Sequence, residues 1–236
     1  MTVDPLGLMS EVDRATERLL RNVADLRDAD LEAPSRLTGW SRGALLARIA
    51  DNARTAAALL TAAAHGHVAP HATPRVTDTP PPAAGSVAAH LRDLRASADQ
   101  FADAAAAMPL AAWGVEVTYG DAPPRPAAAL IWDRLRVVEL HHVDLDVGYS
   151  TADWSEAFSH RLLHDVVTGC GDRRIPPVVL APIGTGHPLM IGTATDGVPT
   201  VRGPLTRLAG WLTGRGDGDG LTVEPEGPLP SPPIWM

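Results

Sequence analysis

His141 and Asp144 are the residues whose types and spacing most directly suggest chemistry. They lie three positions apart in a segment with helical periodicity, so their side chains lie on one side of a helix. An imidazole changes its protonation near neutral pH, and a neighbouring carboxylate can hold its orientation. His141 could therefore act as a general acid or base, and the spacing would let Asp144 orient it. Asp144 could equally be a charge at the end of the helix.

The other potential metal ligands and nucleophiles are weaker candidates. Glu139 and His142 form an i, i+3 pair, but they lie about 60° or more around the helix from His141. We interpret them as a surface or packing pair. Cys170 is interpreted as a small buried hydrophobic residue rather than a nucleophile. Several further histidines lie near one another without an evident third ligand: His65, His67, His71, His160 and His164.

Composition excludes several classes of protein. The chain has 236 residues, of which 45% are hydrophobic, which is enough for a substantial core. Its net charge is −8 and no run of Lys or Arg exceeds two residues, which argues against nucleic-acid binding. No apolar run approaches the ~18–20 residues that a membrane span needs. A single cysteine and the absence of a signal-peptide pattern favour a cytoplasmic protein.

Helical periodicity dominates the first part of the chain. Apolar residues recur at helical spacing in four segments, and the second begins near Ser41, a good N-cap. The fourth covers about 127–148, and its apolar stripe is Ile131, Leu135, Val138, His142 and Leu145. A Pro-rich loop over 66–84 and a connection or short ribbon over 113–126 separate the helices. This pattern predicts an antiparallel four-helix bundle over 1–150.

The pattern changes after Tyr149. One helix is predicted over about 154–170, followed by short β-like runs at 178–180, 189–191 and 199–201. Another helix near 204–213 precedes a Gly-rich turn. Strands and helices set apart from an all-helical half predict a second, α+β domain over 151–236.

Three sequence blocks resemble the mycothiol-dependent maleylpyruvate isomerase family. The first is TGWSRGALLARIADNA at 38–53, and the second is IWDRLRVVELHHVDL at 131–145. The third is LTGRGDG at 212–218, with PPIW following at 232–235. The blocks occur in the family's order and at compatible distances, and together they carry the resemblance.

The resemblance implies a fold, a cofactor and a metal site. The implied fold is α+β: a DinB-like four-helix bundle that holds a zinc ion, followed by a small sterol carrier protein-like domain. Family enzymes use mycothiol, a low-molecular-weight thiol, to isomerise an electrophilic substrate or transfer a group to it. The implied zinc ligands are a His on the second helix and a Glu-x-x-x-His pair on the fourth, at positions 48, 137 and 141.

This chain departs from the implied ligand set at two positions, because residue 48 is Arg and residue 137 is Val. Only His141 keeps its identity, and a protonated guanidinium is no metal ligand. We therefore do not expect zinc. Arg48 would instead place a positive charge where the ion would lie, and could hold a carboxylate or enolate. The alternative is that Arg48 turns outward, or pairs with a carboxylate in a bundle that no longer catalyses.

Three more residues are candidates for the same site. Arg134 lies on the same face of the fourth helix as His141, and its alternative role is a salt bridge at the end of the bundle. Asn52 lies one turn after Arg48 and could offer a polar contact or be a buried helix residue. The resemblance implies that Arg215, in the Gly214–Gly216 turn, reaches towards thiol and substrate; its alternative is an exposed turn arginine.

We hypothesise an isomerase or thiol transferase with His141, Arg48 and Arg215 as catalytic residues and Arg134, Asn52 and Asp144 as substrate-binding residues. In this version mycothiol adds to a small anionic electrophile, a bond rotates or a leaving group departs, and the arginines hold negative charge. One alternative is a metal- and thiol-independent isomerase or cyclase of specialised metabolism. Another is a non-catalytic small-molecule binding protein. We expect a monomer or homodimer with a small-molecule substrate.

Overall fold

The computed structural model describes residues 5–66, 85–119, 123–170, 176–184, 187–193 and 197–232. The chain divides into two compact units, Met1–Gly148 and Tyr149–Met236. In the described part of the first unit the α-helices are α1 (Pro5–Ala24), α2 (Arg42–Ala64), α3 (Val87–Ala106) and α4 (Ala129–Asp144). Most of the predicted Pro-rich loop, with His67 and His71, lies outside the described residues, as does Ile234-Trp235 of the third sequence block.

Serine caps explain where two of the helices begin. Ser41 Oγ accepts a hydrogen bond from the backbone N–H of Ala44 at 3.2 Å, so the predicted start of α2 is confirmed. Ser86 Oγ accepts from Ala89 N–H at 3.2 Å in the same way and begins α3. Each hydroxyl pairs one of the backbone donors that a helix leaves free in its first turn.

The four helices enclose one core. Helix α1 packs against α3 and α4, and α2 packs against the same two helices. The predicted stripe of α4 is buried throughout, because it faces this core. Helix α2 contributes many buried alanines, which let α3 approach closely: Ala44, Ala50, Ala53, Ala56, Ala57 and Ala63. The prediction of a helical N-terminal domain is confirmed.

A short antiparallel ribbon connects α3 to α4. Strands β1 (Glu116–Val117) and β2 (Arg125–Pro126) pair with Glu116 opposite Pro126, which confirms the ribbon alternative for this segment. Because α2 contacts β1 and α4 contacts β2, the ribbon is held against the α2–α4 side of the bundle. It positions Tyr119, which follows β1.

The second unit is a small α+β domain. Its elements are α5 (Glu156–Gly169), β3 (Val178–Pro182), β4 (Leu189–Ile191), β5 (Thr200–Gly203), α6 (Leu205–Leu212) and β6 (Thr222–Glu224). The sheet order is β4-β3-β5-β6, with β3 and β5 parallel and the other pairs antiparallel. Helix α6 packs on α5. The predicted α+β class is confirmed, whereas β6 was not predicted because it is short and follows a Gly-rich turn.

Some sequence-based boundaries were wrong by a few residues. Helix α4 begins and ends inside the predicted 127–148, because residues 125–126 pair in the ribbon and Asp146 and Gly148 have φ angles of 56° and 85°. Cys170 is buried, as expected. Among the described residues, no helix is long and apolar enough to cross a membrane.

Candidate functional site

Two contacts show how α2 and α4 are aligned. Arg42 Nε donates to the carbonyl of Leu145 at 2.8 Å, and Arg134 Nη1 donates to the carbonyl of Ile49 at 2.7 Å. The start of α2 therefore lies beside the end of α4, so the helices are antiparallel. Since both rise about 1.5 Å per residue, position 48 is level with Val137, and His141 lies about one turn nearer the start of α2.

Arg48 is a partly buried cation at this level of the bundle. Its guanidinium carbon lies 5.2 Å from the centroid of the Trp40 ring, within the range of a cation–π contact. Trp40 precedes α2 and therefore holds the guanidinium from the N-terminal side. Among the described residues no carboxylate forms an ion pair with Arg48, so the pairing alternative is not observed and its hydrogen-bond donors are available to a ligand.

A hydrogen-bonded chain of three residues lies one turn further along α2. Arg134 Nη1 donates to Asn52 Oδ1 at 3.1 Å. Asn52 Nδ2 in turn donates to Tyr119 Oη at 3.2 Å. Both ends of the Asn52 amide are thus used, and the hydroxyl proton of Tyr119 remains free to donate to another group. The structure brings Arg134 and Asn52 together, as the sequence suggested.

Arg134 is a buried cation, with a relative exposure of 1%. A salt bridge, the alternative considered for it, is not formed within the described part of the chain; its Nη1 bonds to uncharged oxygens. Burial lowers the pKa of Arg134 to about 10, and the nearby Tyr119 opposes that shift. The guanidinium is therefore still protonated at neutral pH and contributes positive charge to the interior of the bundle.

Tyr119 is a site residue that the sequence did not single out. Burial raises the pKa of its hydroxyl, while the hydrogen bond from Asn52 and the charge of Arg48 act in the opposite direction. The phenol is thus neutral and able to donate a hydrogen bond near neutral pH. The chain contains two tyrosines, and this one lies in a Pro- and Gly-rich connection. The one sequence signal for Tyr119 was that tyrosine is rare in this chain, and rarity does not predict which residues the side chain contacts.

His141 and Asp144 form the pair that their spacing predicted. His141 Nδ1 lies 3.0 Å from Asp144 Oδ2, and the side chains are 12% and 3% exposed. Since a carboxylate accepts, Nδ1 carries the proton when the imidazole is neutral, and Nε2 is then the basic nitrogen. The carbonyl of Asp144 also accepts from Arg36 N–H at 2.7 Å, which holds this end of α4 in place.

Glu139 and His142 face a different helix. Arg18 Nη2 donates to Glu139 Oε1 at 2.6 Å, and Asn22 Nδ2 lies 3.0 Å from His142 Nε2. Both partners come from α1, and both residues of the pair are buried. The packing interpretation is therefore confirmed and the surface interpretation is wrong. The polar contacts join α1 to α4 inside the bundle.

Comparisons with known proteins identify the family of this chain. Residues 12–146 match the family model of the mycothiol maleylpyruvate isomerase N-terminal domain. The chain belongs to the mycothiol maleylpyruvate isomerase family. Residues 153–233 match the model of the C-terminal domain of the same family, so both units are accounted for.

Two crystal structures show the same fold as this family member. One is a mycothiol-dependent maleylpyruvate isomerase, with 24% identity over 100% of both chains and a TM-score of 0.85. The other is a variant of that enzyme in which one histidine is replaced by alanine, with 23% identity, the same coverage and a TM-score of 0.85. Among the curated protein sequences, none matches.

The residues of this family member do not fit a zinc ion at positions 48, 137 and 141. His141 is the one metal-ligand type among them, since Arg48 stays protonated and Val137 has no donor atom. No group of three or more His, Cys, Asp or Glu side chains in the described ranges is arranged to hold a metal. Positive charge at this level of the bundle comes instead from Arg48 and Arg134.

Arg215 belongs to the second unit of this family member. Its backbone N–H and that of Gly216 both donate to the carbonyl of Gly210, at 2.8 and 2.9 Å, which closes the turn after α6. Arg215 Nη1 donates to Thr213 O at 2.9 Å. A Cβ at residue 216 would lie 3.2 Å from the backbone of Gly210, which is tighter than an ordinary van der Waals contact, so the turn favours a glycine there. The role of Arg215 at the thiol and substrate site stays a prediction.

Proposed function

We propose that this protein is an isomerase or thiol transferase that binds a small anionic electrophile at Arg48 and uses mycothiol as its thiol. The observation that carries the proposal is the environment of Arg48: its guanidinium is partly buried, lies over the Trp40 ring and has no ion-pair partner in the described part of the chain. It lies level with Val137, where the family resemblance implies a metal ligand. In this proposal the Arg48 side chain supplies the positive charge that a metal ion would supply at this position.

Arg48 and Tyr119 can hold an anion together. A guanidinium presents parallel N–H donors that match the two oxygens of a carboxylate. The charge of Arg48 acts on Tyr119, and in this proposal the Tyr119 hydroxyl donates to the same anion or to a developing enolate. Asn52 fixes that hydroxyl and is itself fixed by Arg134. Donors held in place before the substrate arrives need little reorganisation.

The same cation fits a thiolate. A positive charge that lacks a carboxylate partner lowers the pKa of a thiol bound beside it, because it stabilises the charged form. A bound thiol would supply a nucleophile for the electrophilic carbon of the substrate. Arg48 orients the negative groups, and the aromatic face of Trp40 covers one side of the guanidinium.

His141 handles the proton in this proposal. Asp144 holds the proton on Nδ1 and leaves Nε2 as the acceptor. In this proposal Nε2 takes a proton from the thiol or from a carbon acid and returns it later, as a general base and then a general acid. The buried carboxylate of Asp144 stabilises the imidazolium that forms. These roles assign His141 as the acid–base residue and Asp144 as the residue that positions it.

The test is an isomerisation assay with maleylpyruvate, the substrate named for the enzyme of similar fold. Product is followed by chromatography with mycothiol, with a different small thiol and without thiol. We expect turnover that needs thiol. Arg48→Ala should lower kcat/KM about 100-fold or more, because it removes two charge-assisted hydrogen bonds of about 1.5–3 kcal/mol each. Arg48→Lys should recover only part of this loss, since it keeps the charge but not the paired donors.

Arg92→Ala is the matched control, because Arg92 is an exposed arginine on α3. It should leave kcat/KM within about twofold. Equal turnover with and without thiol would contradict the thiol mechanism and favour a thiol-independent isomerase or cyclase. If Arg48→Ala and His141→Ala both leave ligand binding and turnover unchanged, the site assignment is wrong.

A further inference from the structure

Two histidines of the second unit lie side by side on α5. His160 and His164 are one helical turn apart, and the centroids of their rings are separated by 4.6 Å. His160 is exposed and His164 is partly buried, so an ion in solution can reach the pair. Neither ring forms a hydrogen bond or an ion pair with a described residue. The ring nitrogens are therefore available as metal ligands.

The packing of α5 holds the two side chains on its outward face. Ser155 Oγ accepts a hydrogen bond from the backbone N–H of Phe158 at 3.1 Å, and the helix begins there, before the pair. The opposite face of α5 carries its buried residues: Phe158, Ser159, Leu162, Leu163 and Val166. Because His160 and His164 lie inside a packed helix, their spacing is set before an ion arrives, and little order has to be created on binding.

The separation of the two rings fits one ion bound by both. A metal–nitrogen bond of about 2.0–2.1 Å places an ion about 3.2 Å from the ring centroid when the ring points a nitrogen at it. Two centroids 4.6 Å apart then subtend an angle of about 90° at the ion, which is the angle between neighbouring ligands in tetragonal coordination. A tetrahedral pair would need centroids about 5.2 Å apart. The geometry thus favours an ion with tetragonal preference.

We propose that His160 and His164 bind one Cu²⁺ ion through their imidazoles. Among divalent first-row metals, Cu²⁺ combines a tetragonal preference with the highest affinity for nitrogen ligands, and Ni²⁺ follows it. Water, or a donor atom of a small ligand, fills the remaining positions, because no third His, Cys, Asp or Glu in the described ranges is arranged to join the pair. This pair belongs to the second unit, whereas positions 48, 137 and 141 belong to the first.

The test is isothermal titration calorimetry of the full chain with Cu²⁺, Ni²⁺ and Zn²⁺ at pH 7.5. We expect one tight Cu²⁺ site per chain, with nitrogen ligands visible by electron paramagnetic resonance. His160→Gln should weaken Cu²⁺ binding about 100-fold or more, because the second imidazole of a chelating pair acts at a high effective concentration. Zn²⁺ should bind weakly enough to be lost on dialysis, since it has two protein ligands at an unfavourable angle. No tight Cu²⁺ site, or Zn²⁺ bound as tightly as Cu²⁺, would overturn the proposal.

Two control variants separate the paired geometry from histidine content. His164→Thr/Thr168→His exchanges two residues of α5 and leaves the composition unchanged. The histidines at 160 and 168 would then be about 12 Å apart along the helix, too far to share an ion, so Cu²⁺ binding should fall as in His160→Gln. His65→Gln/His67→Gln removes two histidines elsewhere in the chain and should leave the tight site intact. If the exchange variant binds Cu²⁺ as tightly as the unsubstituted protein, or if the second control loses the site, the pair on α5 is not the ligand.

Discussion

Substituting His for Arg48 and Glu for Val137 should create a zinc site in this bundle. Position 48 on α2 is level with position 137 on α4, as the contacts of Arg42 and Arg134 with the facing helix show. The introduced carboxylate would lie four residues before His141, on the same face of α4. Three protein ligands would then converge and leave an open position, the arrangement of a catalytic zinc site.

The expected effect of zinc on stability follows from the linkage between metal binding and folding. Zinc at 100 times its dissociation constant stabilises the folded protein by about 2.7 kcal/mol. For 150–250 residues, 1 kcal/mol shifts the melting temperature by about 2–4 °C, so zinc should raise it by about 5–10 °C. Without zinc, Arg48→His/Val137→Glu should melt about 1–4 °C below the parent protein, because it loses a cation–π contact worth about 0.5–1 kcal/mol.

The assay combines metal content after dialysis with melting curves in zinc and in chelator. We expect close to one zinc per chain in Arg48→His/Val137→Glu, and none after a further His141→Ala substitution. Arg48→Ala/Val137→Ala is the matched control and should not bind zinc. If Arg48→His/Val137→Glu binds no more zinc than this control, the inferred alignment of α2 and α4 is wrong. Near-stoichiometric zinc in the unsubstituted protein would refute the argument against a metal.

Three further predictions concern the polar residues of the site. The folded-state pKa of Arg134, about 10, is below its unfolded value, so its charge destabilises the fold below pH 10 and this cost is relieved as pH rises. Relative to Arg134→Met, the unsubstituted protein should therefore gain about 1.4 kcal/mol between pH 9 and pH 11, measured by urea unfolding; no gain would contradict the burial argument. Tyr119→Phe should lower kcat/KM about 10- to 100-fold, since it removes one donor to a charged group, and should lower the melting temperature by only about 2–4 °C, since Asn52 Nδ2 loses its acceptor; a larger fall in melting temperature with normal activity would assign Tyr119 a structural role. Asp144→Asn should lower kcat and move the acidic limb of the pH–rate profile to lower pH, because the imidazolium of His141 loses its carboxylate; an unmoved profile would show that Asp144 does not position His141.

Local sequence patterns were sufficient to predict the helices. The 3.6-residue period of α4 and the capping serine of α2 depend on residues close in sequence, and the structure confirms both. The i, i+3 contact of His141 with Asp144 is local in the same sense. Strand β6 was missed, because three residues after a Gly-rich turn carry too little periodicity, and its pairing with β5 is a long-range contact.

Some assignments needed the packed structure because the residues involved are far apart in the chain. Tyr119 reaches Asn52 across 67 positions and Arg134 reaches it across 82. Whether Glu139 lay at the surface or in the core depended on where α1 packs, and Arg18 decides that it is buried. A cavity of about 290 Å³ that Thr16 lines likewise exists because α1 and α3 leave space between them.

The sequence by itself determined the helical half, the family resemblance and the absence of a metal-ligand side chain at positions 48 and 137, since these depend on residue identity and local order. The tertiary structure alone decided how the remaining charges are arranged. It placed Arg48 over the ring of Trp40, buried Arg134 without a carboxylate partner among the described residues, and connected Arg134 through Asn52 to Tyr119. The physical reason is that burial and electrostatic pairing depend on which helices pack together, and neither is encoded in any one segment.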